Sequence, residues 1–92
     1  MKVRAHAIIH GQVQGVLFRA RVQELALNLG ISGWVKNVED TFVEVTMEGE
    51  ESDVEKLIDF CKSGPIGARV LNFKLEYQEF KNEFKDFKII YR

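Results

Sequence analysis

Two stretches of this chain carry apolar residues at helical spacing, and each does so on one side only. Phe18, Val22, Leu25, Ala26 and Leu29 form the first stripe; Val54, Leu57, Ile58 and Cys61 form the second. A helix with a single apolar stripe must bury it against a partner layer. The other segments supply that layer, because they alternate with the period of two that strands show. Lys2 to His10 sets Val3, Ala5, Ala7 and Ile9 on one face and Arg4, His6, Ile8 and His10 on the other. The first face is the better core candidate. Ile31 to Asn37 and the Val43, Val45, Met47 alternation flank Val38-Glu39-Asp40-Thr41 and read as a hairpin. Leu71, Phe73, Leu75 and Tyr77 alternate with Asn72, Lys74, Glu76 and Gln78, and Phe84 to Tyr91 gives a last, less regular strand with Phe87, Ile89 and Tyr91 on one face.

The order is β-α-β-β-α-β with an additional C-terminal strand. Two one-sided helices must then cover one face of an antiparallel sheet, which is the ferredoxin-like α+β sandwich. Gly30 is a natural stop for the first helix. Ser52-Asp53-Val54-Glu55 reads as a capping box opening the second, and Gly64-Pro65 ends it. The 92 residues suffice for one domain, 1–92, with one core. A single cysteine, Cys61, allows no internal disulfide. The start MKVRAHAII is too short in apolar residues for a signal peptide, and no stretch has the apolar length of a membrane span. The expectation is a cytoplasmic monomer with no membrane partner. The net charge of −1 also argues against a general nucleic-acid binder.

The segment HGQVQGVLFRARVQELALNLG, His10 to Gly30, carries the functional signal. Gly11 and Gly15 lie between the first strand and the first helix, and Arg19 stands where that helix begins. Glycines permit φ > 0 and let several backbone N–H groups aim at one point. The helix start adds free N–H groups and partial positive charge, and Arg19 adds a planar fork of donors. These parts describe an oxyanion pocket. The competing reading is a plain turn with a solvated arginine beside it. The loop is no Walker motif, since no Gly-Lys-Ser/Thr follows, and its glycine spacing is not that of a dinucleotide fingerprint.

Ile9-x-Gly11-x-Val13-Gln14-Gly15-Val16-x-Phe18-Arg19 resembles the first signature of the acylphosphatase family. Gly33-Trp34-Val35-Lys36-Asn37, with Val43 and Gly49, resembles the second, and the step from Arg19 to Asn37 matches the family's catalytic pair. Gly64-Pro65 followed by Ala68-Arg69-Val70 also fits the family pattern. The resemblance implies hydrolysis of a carboxyl-phosphate anhydride, with no cofactor and no metal. It implies that the backbone of Gly11, Gln12, Val13, Gln14, Gly15 and Val16 cradles the phosphate, that Arg19 neutralises charge, and that Asn37 orients the attacking water. One residue departs from the pattern. The family usually has glycine in the hairpin where this chain has Thr41, a β-branched residue that tolerates φ > 0 poorly. A turn of another type or length is expected, with some effect on the aim of Asn37.

Other residues invite functional readings that are weaker. His6 and His10 share a strand face but lack a third metal ligand nearby. Cys61 falls on the apolar stripe and reads as packing. Trp34 reads as a packing residue beside the site. Acidic Glu48 to Asp53 reads as a solvated loop and helix start, and FKNEFKDFKIIYR as a charged edge strand. Three competing functions remain: a domain of a larger carbamoyl-transfer enzyme, a non-catalytic anion-binding regulatory domain, and RNA recognition. A chain ending just after its last strand favours a free-standing enzyme over the first. Phe42 to Glu48 lacks the Lys/Arg-Gly-aromatic signature that the RNA reading requires.

Overall fold

The computed structural model describes residues 1–91. Along the chain run β1 (Lys2–Gln12), α1 (Phe18–Leu29), β2 (Ser32–Val38), β3 (Phe42–Glu50), α2 (Glu51–Ser63), β4 (Arg69–Gln78) and β5 (Phe87–Ile90). They form one five-stranded sheet in the order β4-β1-β3-β2-β5, with both helices packed on one face. The α+β sandwich is as expected. One detail differs: β5 joins β2 in parallel, so the sheet is mixed, while the pairs β1–β3, β1–β4 and β2–β3 are antiparallel.

The core lies between sheet and helices and is built from the residues whose periodicity marked them. Ala5, Ala7 and Ile9 of β1 and Val43, Val45 and Met47 of β3 are buried under Phe18, Val22 and Ala26 of α1 and Val54, Leu57, Ile58 and Cys61 of α2. Small alanines on β1 let α2 approach the sheet closely. Phe18 is the largest fully buried side chain and its ring lies 6.4 Å from that of Phe60. Truncating Phe18 to alanine would cost about 3–5 kcal/mol of stability.

The capping box is not formed. α2 begins at Glu51, directly after β3, with Glu50 in extended conformation at the cap position and no side-chain cap bond. Ser52 is therefore already inside the first turn. The Glu51 N–H instead donates to the Met1 carbonyl at 2.9 Å, and the N-terminal ammonium reaches Glu50 Oε1 at 3.1 Å.

β4 and β5 occupy opposite edges, so the chain between them must cross the sheet. Residues 79–86 do so on the face away from the helices, where Arg4, Thr46 and Glu48 point. This crossing explains why Glu48 is no member of a solvated loop. Its side chain is fully buried, and its carboxylate accepts the N–H of Lys81 (2.8 Å), the N–H of Glu83 (3.0 Å) and a bond from Arg4 (3.3 Å). Arg4 also pairs with Glu83 at 2.6 Å and stacks 5.2 Å from the Phe84 ring centroid. The less regular end of the sequence is thus a crossing segment pinned by one acid, followed by a short strand.

Candidate active site

Gly11 ends the regular part of β1. The register of β1 against β4 shifts between His10 and Gly11, and a Cβ on Gly11 would collide with the Arg69 carbonyl oxygen. Gly11 therefore lets the strand bulge and turn towards α1. Beyond it the loop is held by apolar anchors: Val13 is fully buried, Val16 packs on the core, and Phe18 drives into it. Between the anchors the backbone takes unusual conformations. Gly15 has φ of 75° and Leu17, at the helix cap position, has φ of 63°. Left-handed backbone at a leucine costs about 1 kcal/mol and persists only where surrounding structure enforces it.

α1 starts immediately after this strained residue. Its first backbone bond runs from the Arg21 N–H to the Leu17 carbonyl at 3.0 Å. Phe18, Arg19 and Ala20 thus present N–H groups with no carbonyl of a preceding turn behind them, and this end of the helix is electropositive. Arg19 is half-buried, its guanidinium carbon lies 5.0 Å from the Tyr91 ring centroid, and it forms no ion pair among the described residues.

Asn37 comes from the other side. It sits one residue before the end of β2 and pairs with Val43 of β3. Its Oδ1 is buried and has no hydrogen-bond partner among the described residues. A buried acceptor left unmade costs about 1–3 kcal/mol, so such an atom marks a place where a ligand or water belongs. Arg19 and Asn37 line one cavity of about 270 Å³, together with Val13, Gly15, Leu17, Ile89 and Tyr91. Its lining combines an arginine and an amide with the largely apolar side chains of Leu17, Ile89 and Tyr91.

The loop and the hairpin are tied together by Gln14. Its Nε2 donates to the carbonyls of Glu39 (3.2 Å) and Phe42 (3.0 Å), on either side of the β2–β3 turn. In that turn the left-handed residue is Glu39, with φ of 52°, and not Thr41. Thr41 closes the turn with its N–H and hydroxyl, which both donate to the Val38 carbonyl at 3.3 and 3.4 Å.

Of the residues singled out from the sequence, Arg19, Asn37, Val13 and Gly15 meet at the cavity. Gly11, Gln12, Gln14 and Val16 do not line it: Gly11 shapes the bulge, Gln12 pairs with Arg69, Gln14 braces the hairpin, and Val16 anchors the loop. Trp34 lies away from it. It pairs with Thr46 and Lys88 on the face opposite the helices, with the Lys36 ammonium 5.3 Å from its ring, because it alternates out of phase with Val35 and Asn37. Ile89 and Tyr91 carry no motif, and only the parallel docking of β5 brings them to the cavity. Cys61 is fully buried and burial pushes its thiol up to about 12, so it holds no reactive thiolate. His6 Nε2 is 2.6 Å from Glu44 Oε2, while His10 packs against Phe42 at 4.9 Å. Neither histidine lines the cavity.

Comparison with known proteins decides what this geometry serves. The family model described as Acylphosphatase matches residues 5–89. The chain belongs to the acylphosphatase family. An acylphosphatase of Geotalea uraniireducens is 48% identical over 91 residues, covering 99% of this chain and all of the relative. The structure of an acylphosphatase from Coxiella burnetii superposes with a TM-score of 0.91 at 32% identity, covering 97% of this chain and 93% of that one. A full-length HypF, solved in a phosphate- and nucleotide-bound form, matches with a TM-score of 0.87 at 33% identity; 98% of this chain corresponds to 12% of HypF. The family thus includes both proteins of this length and a domain of a much longer chain. The chain is accordingly a hydrolase with acylphosphatase function, acting on small acyl phosphates. Among the described residues no helix is long and apolar enough to cross a membrane.

Proposed function

We propose that this cavity hydrolyses the carboxyl-phosphate bond without a metal, with Arg19 and Asn37 as its catalytic residues. The observation that carries this reading is the buried, unpartnered Oδ1 of Asn37 in the same cavity as Arg19. The phosphoryl group sits beside Val13 and Gly15 at the start of α1, where backbone N–H groups and the guanidinium fork meet its oxygens. Asn37 Oδ1 accepts a hydrogen bond from a water and so turns the water's lone pair towards phosphorus. The bond from water oxygen to phosphorus forms as the bond from phosphorus to acyl oxygen breaks. The electron pair leaves with the carboxylate, whose conjugate acid has a pKa of about 4, so it needs no general acid. An amide cannot hold the water's proton at neutral pH, and that proton passes to a phosphate oxygen. Positioning and charge stabilisation are what phosphoryl transfer chiefly requires. The apolar wall of Leu17, Ile89 and Tyr91 receives the acyl portion.

The test is phosphate release from benzoyl phosphate in EDTA by the wild type, Arg19→Ala and Asn37→Ala, with circular dichroism to verify folding. Turnover by the wild type and collapse in both folded variants is expected. Full activity in either variant, or dependence on added metal, sinks the assignment.

A further inference from the structure

Leu17 combines two conditions that a leucine ordinarily avoids. Its backbone is left-handed, with φ of 63° and ψ of 23°, a conformation that glycine or asparagine takes with less strain. Its side chain is also 65% exposed, although the next residue, Phe18, is buried in the core. Glycine would remove the strain, and a polar residue would remove the exposed apolar surface. Packing within the fold therefore gives no reason for leucine at this position. Strain of this kind, held next to a cavity, points to a contact made by a ligand.

Leu17 lines two hollows. One is the cavity that holds Arg19 and Asn37. The other, of about 410 Å³, lies between the loop and the segment that follows α2, where Val16, Leu17, Phe60, Pro65 and Ile66 supply apolar walls. Ile66 is fully exposed there, a second large apolar side chain left in solvent at the same place. Arg21 also lines this hollow, but its guanidinium lies 3.2 Å from the Glu24 carboxylate, so its charge is already met. The second hollow is thus continuous with the first through Leu17, and its walls suit an apolar occupant.

We propose that Leu17 determines acyl specificity: the acyl group of the substrate passes from the phosphate site across Leu17 and ends in the hollow of Val16, Phe60, Pro65 and Ile66, so the preferred acyl phosphates carry an elongated apolar chain. This rests on the reading above that the phosphoryl group lies beside Arg19. With that end of the substrate fixed, a chain laid over Leu17 removes its own apolar surface and that of the leucine from water. Each methylene so buried strengthens binding by about fourfold. An acetyl group has no chain to lay there. The contact is the same in ground state and transition state, so the gain appears in KM rather than in kcat.

The test is kcat and KM for acetyl, butyryl and hexanoyl phosphate with the wild type, Leu17→Asn, Leu17→Gly and Ile66→Ser, each verified as folded by circular dichroism. The three leaving carboxylates have nearly equal acidity, so the series reads contact and not bond breaking. The wild type favours hexanoyl over acetyl phosphate by at least about tenfold in kcat/KM, through KM. Both Leu17 variants, whose residues accept a left-handed backbone, lower that ratio by about tenfold, and Ile66→Ser lowers it by about threefold. A wild type with equal kcat/KM for the three substrates overturns this inference and leaves the assignment of Arg19 and Asn37 standing. So does a ratio that stays unchanged in the Leu17 variants or in Ile66→Ser. A wild type that hydrolyses none of the three sinks the assignment of the cavity itself, and this inference with it.

Discussion

Two places in this molecule gather backbone N–H groups and an arginine. On the open face of the sheet, the N–H groups of Lys81 and Glu83 and the Arg4 guanidinium converge on the chain's own carboxylate, Glu48. On the other side, Val13 and Gly15 of the loop, the start of α1 and Arg19 line a cavity with no carboxylate in it among the described residues. The parts are similar and the outcomes are opposite. Where the fold supplies the anion, the arrangement is structural and holds a crossing segment down. Where the fold withholds it, the same donors are, on the proposed function, left for a phosphoryl group. Arginine and N–H donors therefore do not by themselves mark a site; the missing acid does.

The contrast is broken most strongly at Arg19. Arg19→Ala lowers kcat/KM for benzoyl phosphate by at least about a hundredfold, roughly 3 kcal/mol of transition-state stabilisation, and leaves the thermal midpoint near that of the wild type. Arg19→Lys recovers only part of the loss, because a point charge does not replace a fork. At the structural anion the pattern inverts. Glu48→Ala strands Arg4 and two N–H groups and costs about 3 kcal/mol in a denaturation curve, while kcat/KM below the transition is unchanged.

Acid sharpens the difference. Burial raises the Glu48 pKa, but the Lys81 and Glu83 N–H groups and Arg4 outweigh it, and the net position is below the ordinary glutamate value. Its contribution to stability is complete above that ordinary value and is lost as pH falls through the lowered native one. Glu48→Gln should show a shallower fall of the unfolding free energy in that window than the wild type. An unchanged slope means the acid loss originates elsewhere.

A smaller effect is expected at the brace. Gln14→Ala removes both bonds to the hairpin and loosens Asn37 relative to Arg19; kcat falls by about tenfold, with little change in KM. The smallest effect tests the turn. Glu39→Gly relieves a left-handed backbone and stabilises by about 0.5–1 kcal/mol, whereas Thr41→Gly, at a residue outside that region, does not stabilise. Chemical denaturation separates the two.

Much of this was legible in the sequence because it is local. The stripes of Phe18 to Leu29 and Val54 to Cys61 and the alternation of β1, β3 and β4 depend only on spacing. Arg19 stands out as a donor at a helix start, whereas Asn37 and its pairing with Arg19 come only from the motif resemblance, because no periodicity pairs them. What escaped depends on contacts distant in sequence. Glu48 reads as a surface acid until residues 79–86 cross over it. Tyr91 and Ile89 reach the cavity only because β5 docks beside β2. Ser52 fits a cap until β3 is seen to run straight into α2. Trp34 stands three residues before Asn37 in sequence, and the pleat sends it to the other face.

The sheet order has a consequence for how the enzyme comes into being. The strand synthesised first, β1, lies inside the sheet, and one of its flanks waits for β4, with Arg4 facing Gln78. The cavity in turn draws Val13 from the beginning of the chain and Ile89 and Tyr91 from near its end. Such wide sequence separations make folding slow for a protein of this size. A nascent chain halted before β5 has both Arg19 and Asn37 but lacks the wall beside them. Activity therefore switches on late in biogenesis, and its appearance during refolding reports the docking of the last strand.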